Sequence, residues 1–234
     1  MSNPVTIVTG AGSGIGAACA QLLARRGHAV VLVGRRAERL ERVRATMVEP
    51  TRHRVIAADV RLRDPSQSVV DRTVDEFGRL DALILAAGCA PRAMIDATDD
   101  AMLDECFRTN TLGPAHMVTR AWPQFKRQQS GRIVFISTLG AMDPFPGFFA
   151  YAASKSAVDS FARSVKAEGE SLGIHAFAIN PGCVETAMLR QNFSTSVVPP
   201  ERTISPEAVA EVVVACACGE RDRESGSSIA VPSP

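Results

Sequence analysis

A tyrosine and a lysine four residues apart are the side chains of this sequence best suited to acid–base chemistry. Tyr151 and Lys155 open a segment with helical spacing, and residues four apart lie on one face of a helix. A free phenol has a pKa of about 10, and a nearby ammonium is expected to lower the pKa of Tyr151 toward neutral pH. Such a phenol can give a proton to a carbonyl oxygen, and the phenolate can take one from an alcohol. Because this spacing recurs by chance, the alternative is a partly buried tyrosine that packs beside a surface lysine.

Four glycines crowd the first 16 residues, and three of them have a spacing that suits a bound phosphate. The segment 9–16 follows the first apolar run and precedes a helix, with Gly10, Gly14 and Gly16 as the informative positions. Glycine permits a turn with positive φ and a close approach of the backbone to a pyrophosphate. The next helix presents free N–H groups and the positive end of its dipole. The loop therefore predicts dinucleotide binding, and the alternative is a turn that only connects strand to helix.

The end of the second apolar run, Val33-Gly34-Arg35-Arg36, bears on which dinucleotide would bind. A carboxylate at this place accepts hydrogen bonds from the adenine ribose, whereas an arginine pairs with a 2′-phosphate. Gly34 stands in the acid position and two arginines follow, which predicts a preference for NADP(H) over NAD(H). The alternative is that Arg35 and Arg36 are solvated charges that open a helix, where positive charge is slightly unfavourable.

Short apolar runs that alternate with longer helical segments would position these residues. Continuous runs favour strands buried on both faces, and they occur at 5–8, 29–33, 55–58, 82–85, 133–136 and 176–179, with a weaker candidate at 228–231. The helical candidates are 15–26, 37–47, 65–77, 101–125, 152–172 and 206–218. Asp64 and Ser205 each precede a proline and are predicted N-caps. This order predicts an α/β fold, a doubly wound parallel sheet flanked by helices on both faces.

The composition is that of one globular domain, predicted to span residues 1–234. With a net charge of +1 and no apolar run long enough for a bilayer, the sequence predicts neither a nucleic-acid nor a membrane partner. The histidines and cysteines show no metal-ligand spacing, so no metal site is predicted. We interpret the six cysteines as reduced thiols. Together with the lack of a secretion-type N-terminal segment, they favour the cytoplasm.

Taken together, these features resemble the classical short-chain dehydrogenase/reductase family over nearly the whole chain. The resemblance implies a Rossmann-type fold and the family's hydride transfer between a nicotinamide dinucleotide and a small carbonyl or alcohol substrate. The matching motifs, in the family's order and spacing, are the glycine loop, Asp59-Val60 after the third strand, Asn110, the pair Tyr151 and Lys155, and the segment 180–186, Asn180-Pro181-Gly182-x-Val184-x-Thr186.

The resemblance also implies a role for each matched residue. Asp59 and Val60 would contact adenine, Asn110 would support a proton-relay water, Lys155 would bind the nicotinamide ribose, and Thr186 would help to hold the carboxamide. The cofactor-binding residues implied in this way are Gly10, Ser13, Gly14, Ile15, Gly16, Arg35, Arg36, Asp59, Val60, Ala87, Gly88, Asn110, Tyr151, Lys155, Pro181, Gly182, Val184 and Thr186.

Two departures from the family pattern concern the site. Thr138 stands thirteen residues before Tyr151, where the family has a catalytic serine, and Ser137 precedes it. Either hydroxyl can donate to a substrate oxygen, and the spacing favours Thr138. The family's Asn-Asn-Ala-Gly reads Leu85-Ala86-Ala87-Gly88, so the hydrogen bonds of the asparagines are lost and local stability is expected from packing.

The leading hypothesis is an NADP(H)-preferring carbonyl reductase or alcohol dehydrogenase that forms a homodimer or homotetramer. The short segment after 228–231 departs from the family and weakens the case for a tetramer. A dinucleotide-binding sensor or scaffold without turnover is the alternative. Apolar residues in 141–149 and a substrate loop at about 184–204 favour a hydrophobic carbonyl compound, unless these residues pack in the core or at an interface. They are Met142, Phe145, Phe148, Phe149, Met188, Leu189 and Phe193.

Overall fold

The computed structural model describes residues 3–234, and within them seven strands form one sheet. The strands are β1 (Val5–Thr9), β2 (Ala29–Gly34), β3 (Arg54–Ala57), β4 (Ala82–Leu85), β5 (Gly131–Ile136), β6 (Ile174–Pro181) and β7 (Ser228–Val231). Their order is β3-β2-β1-β4-β5-β6-β7, and every neighbouring pair is parallel. The predicted doubly wound parallel sheet is confirmed, including its weak last strand.

The helices lie on both faces of this sheet. They are α1 (Gly14–Arg25), α2 (Ala37–Ala45), α3 (Arg63–Phe77), α4 (Asp100–Phe107), α5 (Gly113–Gln128), α6 (Phe149–Gly169), α7 (Ala187–Asn192) and α8 (Pro206–Ala217). One core packs α1 and α8 against the sheet, and the other packs α3, α5 and α6 against the opposite face. Because both faces are covered, the central strands are buried throughout, which explains their unbroken apolar sequences.

The winding direction of the chain reverses at β1, which pairs with β2 on one side and with β4 on the other. The loops that follow these strands therefore diverge to opposite faces of the sheet. Such a switch point leaves a crevice at the carboxyl ends of the strands, where ligands bind in open α/β sheets. The glycine loop after β1 and the segment after β4 both open into this crevice.

Of the two predicted N-caps, one is confirmed and the other is wrong. Ser205 caps α8 as predicted, because its side chain accepts a hydrogen bond from Ala208 N. The prediction for Asp64 is wrong, since α3 begins at Arg63 with Leu62 in the cap position. Pro65 is tolerated in the first turn because the first N–H groups of a helix have no intrahelical partner.

The helix predicted over 101–125 is interrupted. A π-helical stretch, Arg108–Leu112, separates α4 from α5 and buries Asn110 completely. In a regular α-helix the N–H of residue 114 would bond the carbonyl of Asn110, but Pro114 has no N–H to donate. The proline therefore explains why the helix widens at this residue. Single-turn π segments of this kind are frequent at functional sites.

Two further properties bear on ligand and membrane binding. No helix in residues 3–234 combines the length and the apolar character needed to cross a membrane. The same residues contain no cluster of three or more His, Cys, Asp or Glu side chains placed to hold a metal ion.

Candidate active site

A cavity of about 600 Å³ lies along the carboxyl ends of the strands. It runs from the arginines after β2, past the glycine loop, to the aromatic residues between β5 and α7. Most of the residues that the sequence singled out contribute to its wall, whereas Asn110 does not line it. The lining includes Gly10, Ser13, Gly14, Ile15, Gly16, Arg35, Arg36, Asp59, Val60, Ala87, Gly88, Ser137, Thr138, Tyr151, Lys155, Pro181, Gly182, Val184 and Thr186.

The glycine loop is built as the sequence predicts. Gly10 and Gly14 have φ of +67° and +54°, in the left-handed region that favours glycine. A Cβ on Gly16 would lie 2.5 Å from the carbonyl oxygen of Gly10, so the turn closes only without a side chain there. No side chain caps the N-terminus of α1. Its first N–H groups and dipole are therefore directed at the cavity, as a phosphate requires.

Basic side chains surround the end of the cavity that lies beside the carboxyl end of β2. Arg35, Arg36 and Arg39 line it, and Arg61 forms a bidentate ion pair with Asp59. The Arg61 guanidinium is the largest cause of the lowered pKa of Asp59. The sequence reasoning did not single out Arg39 or Arg61. A guide to Arg39 was available in its helical spacing, since it lies one turn after Arg35.

The segment after β4 is tied down by a hydroxyl and not by packing alone. Ala87 N donates to Oγ1 of Thr9 at 3.2 Å, and the same hydroxyl donates to Ile84 O at 3.4 Å. Thr9 is buried in β1, next to β4 in the sheet. The expectation that packing replaces the missing asparagines is therefore incomplete, because the neighbouring strand supplies a polar link.

Tyr151 lies in the first turn of α6, with its ring edge-on to Phe148 at a centroid distance of 5.8 Å. Its pKa is raised to about 12, because burial disfavours the charged phenolate, and the hydrogen bond with the Thr138 side chain acts in the opposite direction. The prediction that Lys155 lowers this pKa is wrong for the protein in this structure. Burial is the largest cause of the shift and Lys155 is not among its causes, so the phenol keeps its proton at neutral pH.

Lys155 is buried, and its Nζ donates to the carbonyl oxygen of Ile136 at 2.6 Å. Burial lowers the pKa of Lys155 from 10.5 to about 8, while the nearby Cys89 and Asp159 act in the opposite direction. Nζ also lies where a side chain on Gly88 would come, 3.5 Å from an ideal Cβ at that glycine. The ammonium therefore occupies the floor of the cavity between β4 and β5.

The hydroxyls of Ser137 and Thr138 are used differently. Ser137 is buried and donates to the carbonyl oxygen of Lys155 at 3.3 Å. Thr138 bonds with Tyr151, and its Oγ1 also accepts from Gly140 N at 3.2 Å. The two alternatives that the sequence left open are thus separated by geometry: Thr138 faces the phenol, and Ser137 ties β5 to α6.

The Asn110 side chain is fully engaged in hydrogen bonds. Its Oδ1 accepts from Cys89 N at 2.9 Å, and its Nδ2 donates to Cys89 O and to Ser154 Oγ, both at 2.9 Å. The amide therefore joins the segment after β4 to Ser154 of α6, the residue before Lys155. The group of Asn110 that can serve a relay water is its carbonyl, which Pro114 deprives of its α-helical donor.

The segment after β6 brings Pro181, Gly182 and Val184 to the cavity. Thr186 Oγ1 accepts from Leu189 N at 3.2 Å and so caps α7, and it donates to Val184 O at 3.2 Å. Its methyl group lies against the glycine loop, 3.2 Å from an ideal Cβ on Gly14. The first and last segments of the predicted cofactor site along the chain therefore meet at Thr186.

The family model described as short chain dehydrogenase matches residues 4–196 of this chain. The chain belongs to the short-chain dehydrogenase family. An uncharacterized oxidoreductase of Listeria monocytogenes is 31% identical over 192 residues, which are 81% of this chain and 77% of that protein. Members of the family are oxidoreductases that use a nicotinamide dinucleotide and act on small molecules.

Solved structures of the short-chain dehydrogenase family superpose on nearly the entire chain. A short chain dehydrogenase/reductase family protein is 31% identical with a TM-score of 0.90, over 98% of this chain and 96% of its own. The 3-ketoacyl-(acyl-carrier-protein) reductase of Brucella melitensis, in complex with NADH, is 25% identical with a TM-score of 0.92, over 99% of this chain and 97% of its own.

Proposed function

We propose that this short-chain dehydrogenase transfers a hydride between NADP(H) and an apolar carbonyl or alcohol substrate, with Tyr151 as the general acid and base. The observation that carries the proposal is the interaction between the Tyr151 and Thr138 side chains in the wall of the cavity. It supports a role in which both hydroxyls address one substrate oxygen. The buried ammonium of Lys155 lies in the same wall.

The residues present fit a dinucleotide. The glycine loop leaves no room for a side chain at Gly10 or Gly16, and the uncapped N-terminus of α1 faces the cavity, which suits a pyrophosphate. Lys155 and the segment Pro181–Gly182 would border the nicotinamide half, and Asp59 and Val60 the adenine half. When bound, the nicotinamide supplies or accepts the hydride.

The charge states of the side chains favour carbonyl reduction. With a pKa of about 12, Tyr151 holds its proton at neutral pH and can donate it to a carbonyl oxygen. Thr138 would orient and polarise that oxygen as a second donor. Lys155 would keep positive charge beside the phenolate that remains after proton transfer. The carbonyl of Asn110 would support the water through which Tyr151 regains a proton.

The preference for NADP(H) rests on charge. Gly34 leaves no carboxylate at the end of β2, while Arg35, Arg36 and Arg39 line the cavity beside it. A 2′-phosphate would meet guanidinium groups there, whereas NAD(H) would lack that attraction. The Asp59 carboxylate is already paired with Arg61 and does not offset this field.

The substrate end of the cavity is apolar. Of the residues that the sequence proposed for it, Phe145, Phe148, Met188, Leu189 and Phe193 line the cavity. The other two, Met142 and Phe149, are 62% and 51% exposed and are absent from its lining. The lining residues include members of α7, within the substrate loop proposed at about 184–204. A hydrophobic or aromatic carbonyl compound suits this wall.

The test is a substrate screen that follows NADPH absorbance at neutral pH over a panel of apolar ketones, aldehydes and quinones. We expect oxidation of NADPH with at least one member, and loss of that activity in Tyr151→Phe. Binding of NADPH without turnover on the whole panel would favour the sensor or scaffold. The cytoplasmic location and the homodimer or homotetramer stay predictions.

A further inference from the structure

A buried carboxylate lies behind the proposed catalytic residues. Asp159 is 7% exposed and belongs to α6, eight residues after Tyr151 and four after Lys155. The hydrogen-bond partner that the structure gives it is the side-chain amide of Asn180, whose Nδ2 lies 3.1 Å from Oδ2 and 3.4 Å from Oδ1. Burial of a carboxylate costs free energy unless its charge is compensated, so a compensating group is expected near Asp159.

Asn180 connects that carboxylate to the candidate hydroxyl. It is completely buried in β6, and the same Nδ2 donates to the backbone carbonyl oxygen of Thr138 at 3.0 Å. Its Oδ1 is buried without a hydrogen-bond partner. The amide is therefore oriented by its donors, toward Asp159 on one side and toward Thr138 on the other.

Asp159 also supplies negative charge near Lys155. The titratable groups that act on the Lys155 ammonium are Cys89 after β4, Cys106 at the end of α4, and Asp159 on α6. Asp159 is the carboxylate of this group, whereas Cys89 and Cys106 are thiols, and the hydrogen bond with Cys106 lowers the pKa of Cys89. The negative charge of Asp159 therefore contributes to compensating the buried ammonium.

We propose that Asp159 is a positioning residue of this site: through Asn180 it fixes the backbone of Thr138, and its negative charge keeps Lys155 in the ammonium form. The inference rests on the proposed function. It adds a residue that the sequence motifs did not include, although its spacing of four from Lys155 was visible in the sequence.

The substitution Asp159→Asn removes the negative charge of the side chain and nearly keeps its shape. The new amide can accept from Asn180 Nδ2 and can donate to the unpartnered Asn180 Oδ1, so we expect the variant to fold. Because the compensating charge is lost, the alkaline limb of the kcat profile should move to lower pH by about one pH unit, which is about a tenfold loss of rate on that limb. KM for the carbonyl should change less than kcat. Asp159→Glu should restore the limb, and Glu168→Gln, an exposed carboxylate on the same helix, should leave it unchanged.

A second readout needs no turnover. Unfolding by urea at pH 7 measures how much Asp159→Asn lowers the free energy of unfolding in the parent and in the Lys155→Met background. If Asp159 compensates the ammonium, the substitution destabilises the parent more than it destabilises Lys155→Met. Equal losses in both backgrounds, or an unshifted pH profile in a folded Asp159→Asn, would overturn the proposal. An inactive parent enzyme would instead contradict the proposed function, while the unfolding cycle would still decide this one.

Discussion

The ammonium of Lys155 donates a hydrogen bond of 2.6 Å to the carbonyl oxygen of Ile136. This bond joins the N-terminal half of α6 to the last residue of β5. Thr138 follows Ile136 by two residues and Tyr151 precedes Lys155 by four, so one contact sets the phenol and the hydroxyl in register. Ser137 reinforces the joint by donating to the carbonyl of Lys155.

Replacing Tyr151 with phenylalanine removes the proton donor and keeps the ring that packs against Phe148. We expect kcat to fall by about 10²–10⁴-fold, the usual contribution of a general acid. The dissociation constant of NADPH, measured by fluorescence titration, should change little. A variant that retains the parent's kcat would refute the acid–base role.

The hydroxyl next to Tyr151 is expected to matter more than its neighbour. Thr138→Ala should lower kcat by about 100-fold, as loss of one oxyanion donor does, and Thr138→Ser should keep most of the activity. Ser137→Ala should mainly reduce the free energy of unfolding, by about 1 kcal/mol, because it breaks a buried bond to the backbone. If Ser137→Ala is the more damaging to kcat, the assignment is reversed.

Arg35→Ala should raise KM for NADPH by about 10- to 100-fold and leave KM for NADH nearly unchanged, because only the former carries a 2′-phosphate. The ratio of kcat/KM for the two cofactors is the measurement. Arg163→Ala, an exposed arginine on α6, is the matched control. A parent enzyme that prefers NADH would contradict the prediction.

Stability should depend on Lys155 at alkaline pH. Its pKa is about 8 in the folded protein and 10.5 ordinarily, so above pH 8 the unfolded chain holds a proton that the folded chain has lost. The free energy of unfolding then gains a contribution that rises with pH. Tyr151 has the opposite sign, with a pKa raised from 10.0 to about 12, but that effect begins near pH 10. Urea titrations from pH 7.5 to 9.5 should show a steeper rise for the parent than for Lys155→Met.

Thr9→Val should test the link between β1 and the segment after β4. The substitution keeps the shape and leaves the amide of Ala87 without its acceptor. We expect a loss of about 1–3 kcal/mol in the free energy of unfolding and weaker NADPH binding. Thr6→Val, in the same strand, loses a bond to His28 instead and should spare NADPH binding. Equal effects of the two variants on binding would argue against a local role.

Much of the architecture could be read from local patterns. Strands buried on both faces are apolar without interruption, and the glycines at 10, 14 and 16 either have a positive φ that favours glycine or leave no room for a Cβ. Ser205 likewise follows a local rule. Asp64 did not, because the turn at 59–62 starts α3 two residues earlier than the cap pattern indicates.

The sequence by itself determined the parallel sheet, the glycine loop, the spacing of Tyr151 and Lys155, and the family resemblance, since each depends on neighbours within a few residues or on order along the chain. Only the tertiary structure decided that Thr138 and not Ser137 meets Tyr151, that Asn110 binds Cys89, and that Asp159 reaches Thr138 through Asn180. It also reversed the expected pKa shift of Tyr151. These features depend on which distant segments exclude water and supply hydrogen-bond partners, and no local pattern encodes that.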